Sequence, residues 1–414
     1  MSHNVIYFFP HNPYPPRSGA HKRCLEMLSG LLKLGYKVTF VSSTLSSETS
    51  WDDDSIRKLE RDFKIGVHIY KPSFIDWKFM GLLDRFYKLT KIELPLDSLL
   101  RASVGMRWWF SDLIKKISPD MILMSYCFWD GLLNRRKLGA TITVIDTHDL
   151  FTVNNQMREA LRPYLPPAPI RLDRVDNVIL EEDFFDQLSL DVSHEELQIL
   201  DRYDRTIAIA RNEFEIIKKD TSNTIVSLLP MTQDPCYLEN QYTDLPIFTT
   251  GPNIFNIQGY LYFAKQVLPK ILAEIPSFEL QVTGSCCKEV APTKGIILSG
   301  FVPDLISVYR QAKFLICPVF GGTGQQVKIV EAMAHGLPIV ALKAAAKMSP
   351  IEHGINGFIA NNAEEFAHCV IKLWQDPALC RQLGTAARTK IANDFSEKCL
   401  LHSLSLLVQP RSIP

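Results

Sequence analysis

Between Phe320 and Val340 the chain reads FGGTGQQVKIVEAMAHGLPIV. Glycines let backbone N–H groups approach an anion closely, and a helix beginning just beyond them adds partial positive charge at its N-terminus. Gly321, Gly322, Thr323 and Gly324 therefore form a candidate phosphate cradle. Lys328, one turn further on, can neutralise negative charge, and Glu331 can accept hydrogen bonds from a ribose diol. The plainer alternative is that the glycines only turn the chain, while Lys328 and Glu331 form an i,i+3 surface pair of about 0.2–0.5 kcal/mol. A second candidate is His148, just after the apolar run Thr141 to Asp146. At a strand's carboxyl end a neutral imidazole can both donate and accept a hydrogen bond to a ligand. Asp149 beside it either orients the ring or caps the next helix.

Positioning these residues requires strands and helices in alternation. Phe314 to Val319 reads as a buried strand, and Gly336-Leu337-Pro338 stops the helix that follows the glycines. On that helix Val327, Val330 and Ala334 share a face suited to packing on a sheet, and Gly324, Lys328, Glu331 and His335 share another. At the N-terminus, strand Asn4 to Phe9, a proline-rich turn, a helix through Ala20, Cys24, Met27, Leu28, Leu31 and Leu32, and strand Lys37 to Ser42 make a βαβ unit. The turn ends in Ser18 and Gly19, at the strand-to-helix junction where open α/β sheets bind ligands. It lacks G-x-G-x-x-G, which disfavours NAD.

Further strands are expected at Met121 to Tyr126, Thr141 to Asp146 and Thr206 to Ala210. A polar excursion with prolines at 163, 166, 167 and 169 is expected over 152–195, on the acceptor side. Leu228 to Pro235 reads as a linker. Beyond it come strand Pro246 to Thr250, the turn Gly251-Pro252-Asn253, a helix from about Gln258 to Ile275, and strands Glu279 to Gly284, Ile296 to Gly300 and Ile339 to Leu342.

Composition excludes several classes. Lys plus Arg equals Asp plus Glu at 45 each, so no global field favours nucleic acid. Nine cysteines without a C-x-x-C pair and ten unclustered histidines give no metal-site spacing. The N-terminus lacks a basic start and a long apolar stretch, and no run reaches ~18 apolar residues. A cytoplasmic chain is expected. From Phe74 to Ile117 aromatic and basic residues interleave, a pattern of helices lying at a bilayer interface or of ordinary core and rim, so peripheral membrane contact enters through 74–117.

The stretch from Gly321 to Pro338 resembles the signature of glycosyltransferase family 4, in which a Glu followed by Ala-Met-Ala and Gly-x-Pro contacts the donor ribose. Here that residue is Glu331. The resemblance implies an α/β GT-B architecture, with two Rossmann-like domains facing each other across a cleft. Residues 1–232 would be the acceptor side and 233–394 the donor side, with a C-terminal helix at about 395–414 crossing back to the first domain. It implies a retaining hexosyltransferase that takes a nucleotide-sugar donor as substrate, with no metal, and a glycan, lipid-linked or protein acceptor. Donor contacts would come from Ser18, Gly19, Gly251, Asn253, backbone groups at Gly284 and Phe301, the Gly321 to Gly324 loop, Lys328 and Glu331, with His148 and Lys328 catalytic. Two departures stand out: the family's first acid, eight residues before Glu331, is Thr323, and the Gly251 turn offers Asn253 and Asn256 but no Arg. A nucleotide-sugar 2-epimerase and a non-catalytic partner are the alternatives on the same fold.

Overall fold

The computed structural model describes residues 3–16, 18–45 and 50–407. Arg17 of the proline-rich turn, and Val408 onward of the expected last helix, lie outside the described residues. In the first half, strands β1 (Asn4–Phe8), β2 (Lys37–Ser43), β3 (Gly66–Tyr70), β4 (Met121–Ser125), β5 (Ile142–Asp146), β6 (Arg205–Ala208) and β7 (Ile225–Leu228) form one parallel sheet ordered β3-β2-β1-β4-β5-β6-β7. In the second, β8 (Ile247–Thr250), β9 (Leu280–Gly284), β10 (Ile296–Gly300), β11 (Leu315–Cys317), β12 (Ile339–Leu342) and β13 (Gly357–Ala360) form another ordered β10-β9-β8-β11-β12-β13. The chain therefore has two Rossmann-like domains. Helices on both faces explain why β1, β4 and β12 are continuous apolar runs: a parallel strand is buried on both sides. Strand order reverses between β1 and β4 and again between β8 and β11, and the loops leaving those strand ends are where such sheets hold ligands.

Each domain sends one segment into the other. The helix Glu397–Leu407 packs Leu400, Leu404 and Leu407 into the apolar cluster of Met27, Leu28 and Leu31 on the Gly19–Lys33 helix. Gly30 permits this approach, since a Cβ there would sit 2.5 Å from Leu404 Cδ1. In the opposite direction, Leu161, Ile170, Val175, Ile179 and Phe185 join the core of the second sheet. The Ile170 N–H donates to the Glu289 carbonyl at 2.8 Å, and the Tyr262 hydroxyl donates to Glu182 at 2.7 Å. The 152–195 excursion thus bridges the two domains, with Val153 in the core of the first and these residues in that of the second. Its widely spaced apolar residues, masked by a polar average, anchor it to the second domain.

Two helix starts also move. The helix after β8 begins at Ile254 rather than about Gln258, because the Asn253 side chain accepts from the Phe255 N–H at 3.1 Å and caps it. The helix bearing Glu331 spans Val327–Ala334, so Gly324 belongs to the preceding loop and not to a helical face. Among the described residues no helix is long and apolar enough to cross a membrane.

Leu404→Ala should cost about 2–5 kcal/mol, the range for a buried leucine. Hydrogen exchange will locate the loss: amides of β1 and β2 should exchange faster, although the substitution lies at the far end of the chain, while those of β12 keep their protection.

Candidate functional site

The carboxyl ends of both sheets meet around a cavity of about 250 Å³. Of the residues singled out in the sequence, Gly19, His148, Asn253, Gly321, Gly322, Gly324 and Lys328 line it. The glycines are there because their neighbours leave no room for a side chain. A Cβ at Gly324 would lie 2.8 Å from the His148 carbonyl oxygen, and one at Gly19 would lie 3.0 Å from Val327 Cγ2. Gly321 leaves room for the rings of Phe255 and Phe185, and Gly322 takes φ +103°, a region side chains avoid. The loop thus fits against the first domain.

Lys328 and Glu331 do not form the surface pair that their spacing allows. The Lys328 ammonium reaches the Asn256 side-chain oxygen and lies 4.8 Å from the Phe248 ring centre, and burial lowers its pKa. Glu331 forms an ion pair with Lys22 from the first turn of the Gly19–Lys33 helix, across the cleft. The Tyr309 hydroxyl is 3.4 Å from its other oxygen.

Opposite the glycine loop, the Arg23 guanidinium donates to Asp146 from Nε at 2.7 Å and from Nη2 at 2.8 Å, with both side chains buried. His148 Nε2 lies 3.5 Å from the same carboxylate. The imidazole stacks on Tyr126, with ring centres 4.3 Å apart. Both residues take positive φ, +62° and +67°, an unusual backbone for non-glycines that fixes the two rings at adjacent strand ends. Burial lowers the His148 pKa to about 4, so the ring is neutral near pH 7.

Asp149 neither caps a helix nor faces His148; Asp146 has the latter place. Asp149 accepts from the Asn154 amide at 2.8 Å, and the Phe151–Leu161 helix begins without a side-chain cap. Burial, with the charge of Glu196, pushes Asp149 up to about 7, and burial, with the charge of Asp149, pushes Glu213 up to about 8. The Leu150 N–H is shared by Glu213, at 3.1 Å, and the Thr323 hydroxyl, at 3.0 Å. An acid at position 323 would bring another carboxylate against two that are already difficult to ionise, a physical reason for threonine there.

Other expected positions have backbone roles. Ser18 caps the Gly19–Lys33 helix by accepting from the His21 N–H at 3.3 Å. The Gly251 carbonyl accepts from Asn256 at 3.2 Å. Gly284 takes φ +93°, with space for a Cβ only 1.9 Å from the Thr250 carbonyl oxygen. Phe301 is 84% exposed and does not line the cavity. Sequence reasoning missed Lys22, Arg23, Tyr126 and Asp146. A signal for one was present: Arg23 sits in the apolar stripe Ala20, Cys24, Met27, and a charge there demands a buried partner. Among the described residues no group of three or more His, Cys, Asp or Glu is placed to hold a metal ion.

Residues 246–376 match the family model described as "Glycosyl transferases group 1". An uncharacterized glycosyltransferase of Haemophilus influenzae is 30% identical over 185 residues, 41% of this chain and 51% of that protein, so the chain spans about half the length of that relative. The sucrose-phosphate synthase of Thermosynechococcus elongatus superposes with a TM-score of 0.62 at 15% identity, covering 98% of both chains. Anabaena HepE, in a complex with UDP and glucose, superposes with a TM-score of 0.62 at 11% identity, again over 98% of both chains. The fold is GT-B. In GT-B terms, the segment matched by the family model supplies the glycine loop, Lys328 and Glu331, and the opposing domain supplies His148, Arg23 and Lys22.

Arg23→Met should destabilise the protein by about 3–5 kcal/mol, because Asp146 is left buried without its counter-charge. Adding Asp146→Leu should recover most of that loss in urea unfolding. The carboxyls of Asp149 and Glu213 are raised by folding, so the stability they allow is present at low pH and is lost as pH rises through their folded values. Thermal midpoints should therefore carry a declining contribution from these two groups between about pH 4 and 8, levelling off above it, and Glu213→Gln should flatten that decline.

Proposed function

We propose that this chain is a glycosyltransferase that moves a sugar from a nucleoside-diphosphate sugar to a hydroxyl of a glycan, lipid-linked or protein acceptor, with retention at the anomeric carbon. The observation that carries this reading is the convergence of Gly321–Gly324 and Lys328 on one cleft with His148, with Glu331 held beside it by a cation of the facing domain. UDP in the HepE complex supports a nucleoside diphosphate as the donor's carrier.

The diphosphate sits on the glycine loop and the start of the Val327–Ala334 helix, where N–H groups and Lys328 meet its charge. The facing domain's Arg23 is neutralised by Asp146 and its Lys22 is paired with Glu331, so Lys328 is the cation that takes the place of the Arg the Gly251 turn lacks. The ribose diol donates to Glu331, sharing that carboxylate with Lys22. The sugar points toward His148 and Gly19. As the bond from the anomeric carbon to the phosphate oxygen breaks, negative charge grows on the departing phosphate, and Lys328 stabilises it more than the ground state. The acceptor oxygen bonds to the same face of the anomeric carbon and its proton passes to the phosphate. Neutral His148 holds the sugar by hydrogen bonds without adding a charge. No metal enters these steps; the resemblance to metal-independent transferases supports that choice.

The cavity of about 250 Å³ lies just below the usual range of ligand pockets, and in this reading the domains open to admit the donor and close over it. Closure then excludes water and limits donor hydrolysis.

With UDP-sugars and a panel of glycan acceptors, Lys328→Ala should lower kcat by about 10²–10³-fold, the effect of removing one transition-state charge contact. Glu331→Ala should act chiefly on donor KM, and NMR of the product should show the donor's anomeric configuration. Unchanged kinetics in both variants would overturn the site assignment, and an inverted product would overturn retention.

A further inference from the structure

Outside the cleft, the helix Phe74–Thr90 turns its apolar side outward. Toward the body it presents Asp76, Met80, Leu83, Asp84 and Tyr87, buried or half-buried at spacings of three and four. Asp76 ties it down by accepting from the Tyr70 hydroxyl at 2.7 Å and from the Ser73 N–H at 2.9 Å. Away from the body, Ile75, Phe79, Leu82, Phe86 and Leu89 fall on one row; Ile75 is 77% exposed, Leu82 66% and Leu89 84%. A water-facing row would ordinarily be polar. On its inner side the helix packs against the helix Val104–Ile117, whose Gly105 abuts Asp76.

Charge indicates what covers this face. Lys71, Lys78, Arg85, Lys88 and Lys91 are all exposed on or beside the helix. Of the acids, Asp76 is buried, Asp84 is paired with Lys88 at 2.7 Å, and Glu93 alone stands open among residues 71–93. Interfaces between protein copies lose charge at their centres. Cations interleaved with aliphatic and aromatic side chains instead suit a surface that is apolar within and negative at its rim, where long basic side chains reach the headgroups.

We propose that the outward face of the Phe74–Thr90 helix seats the protein on an anionic lipid bilayer, the helix lying in the interface plane. This holds independently of the transferase reading. It brings the first domain, and any acceptor it binds, to a membrane surface.

The test is flotation of the purified full-length chain with phosphatidylcholine vesicles, with and without phosphatidylglycerol, at low and high salt. The protein should float with the anionic vesicles, and less so as salt rises. Lys78→Glu should lower the partition at least fivefold, since each cation near such a surface contributes about that factor. Leu82→Glu with Phe86→Glu should abolish flotation while the circular-dichroism melt stays unchanged, because both side chains are already exposed. Equal flotation of all variants, or none with either vesicle, would overturn the proposal. Concentration-dependent dimers that dissolve in the Leu82→Glu, Phe86→Glu variant would also overturn it, by assigning the face to a second copy.

Discussion

Where the two domains face each other, two glycines stand where no side chain fits. Gly324 of the second domain lies against the carbonyl of His148 in the first, and Gly19 of the first lies against Val327 of the second. A Cβ at Gly324 would stand 2.8 Å from that carbonyl oxygen, so even alanine would hold the domains apart. That contact sets the distance between the glycine loop and the facing domain's cations. It also brings Lys22 onto Glu331 and the Thr323 hydroxyl onto the Leu150 N–H.

Electrostatics on either side of this contact are arranged in opposite ways. On one side Arg23 and Asp146 neutralise each other in a buried pair, leaving His148 beside them uncharged. On the other, Asp149 and Glu213 lie buried close together with raised pKa values. An additional acid in the glycine loop would have no low-energy charge state there, which makes Thr323 consistent with a working cleft rather than a sign of a lost one. The substitution alone therefore gives no support to a non-catalytic role.

Much of the fold was legible in the sequence because parallel strands and their helices have different periods. β1, β4, β5 and β12 read as apolar runs, and the Gly336 stop fell where the helix ends. Position 254 was missed because Asn253 caps the helix through its side chain, a local bond that hydrophobic spacing does not register. The anchoring of the 152–195 strap to the second domain was not legible because its seven buried apolar residues there are diluted among prolines and charges. At the cleft, Lys328 and Glu331 could be chosen by motif. Their partners Asn256 and Lys22 come from segments 72 and 309 residues away, and such long-range pairings leave no trace in spacing.

The most direct test is a thermal-shift series of the wild-type chain and Glu331→Gln against UDP, GDP, ADP, CMP and dTDP, with EDTA present. A ligand that binds only the folded state raises the midpoint by mass action. A clear rise with one base, reduced in Glu331→Gln, is the predicted result and would identify the donor's nucleotide. No rise with any of the five would contradict a donor site in this cleft and leave the fold in the service of binding another partner.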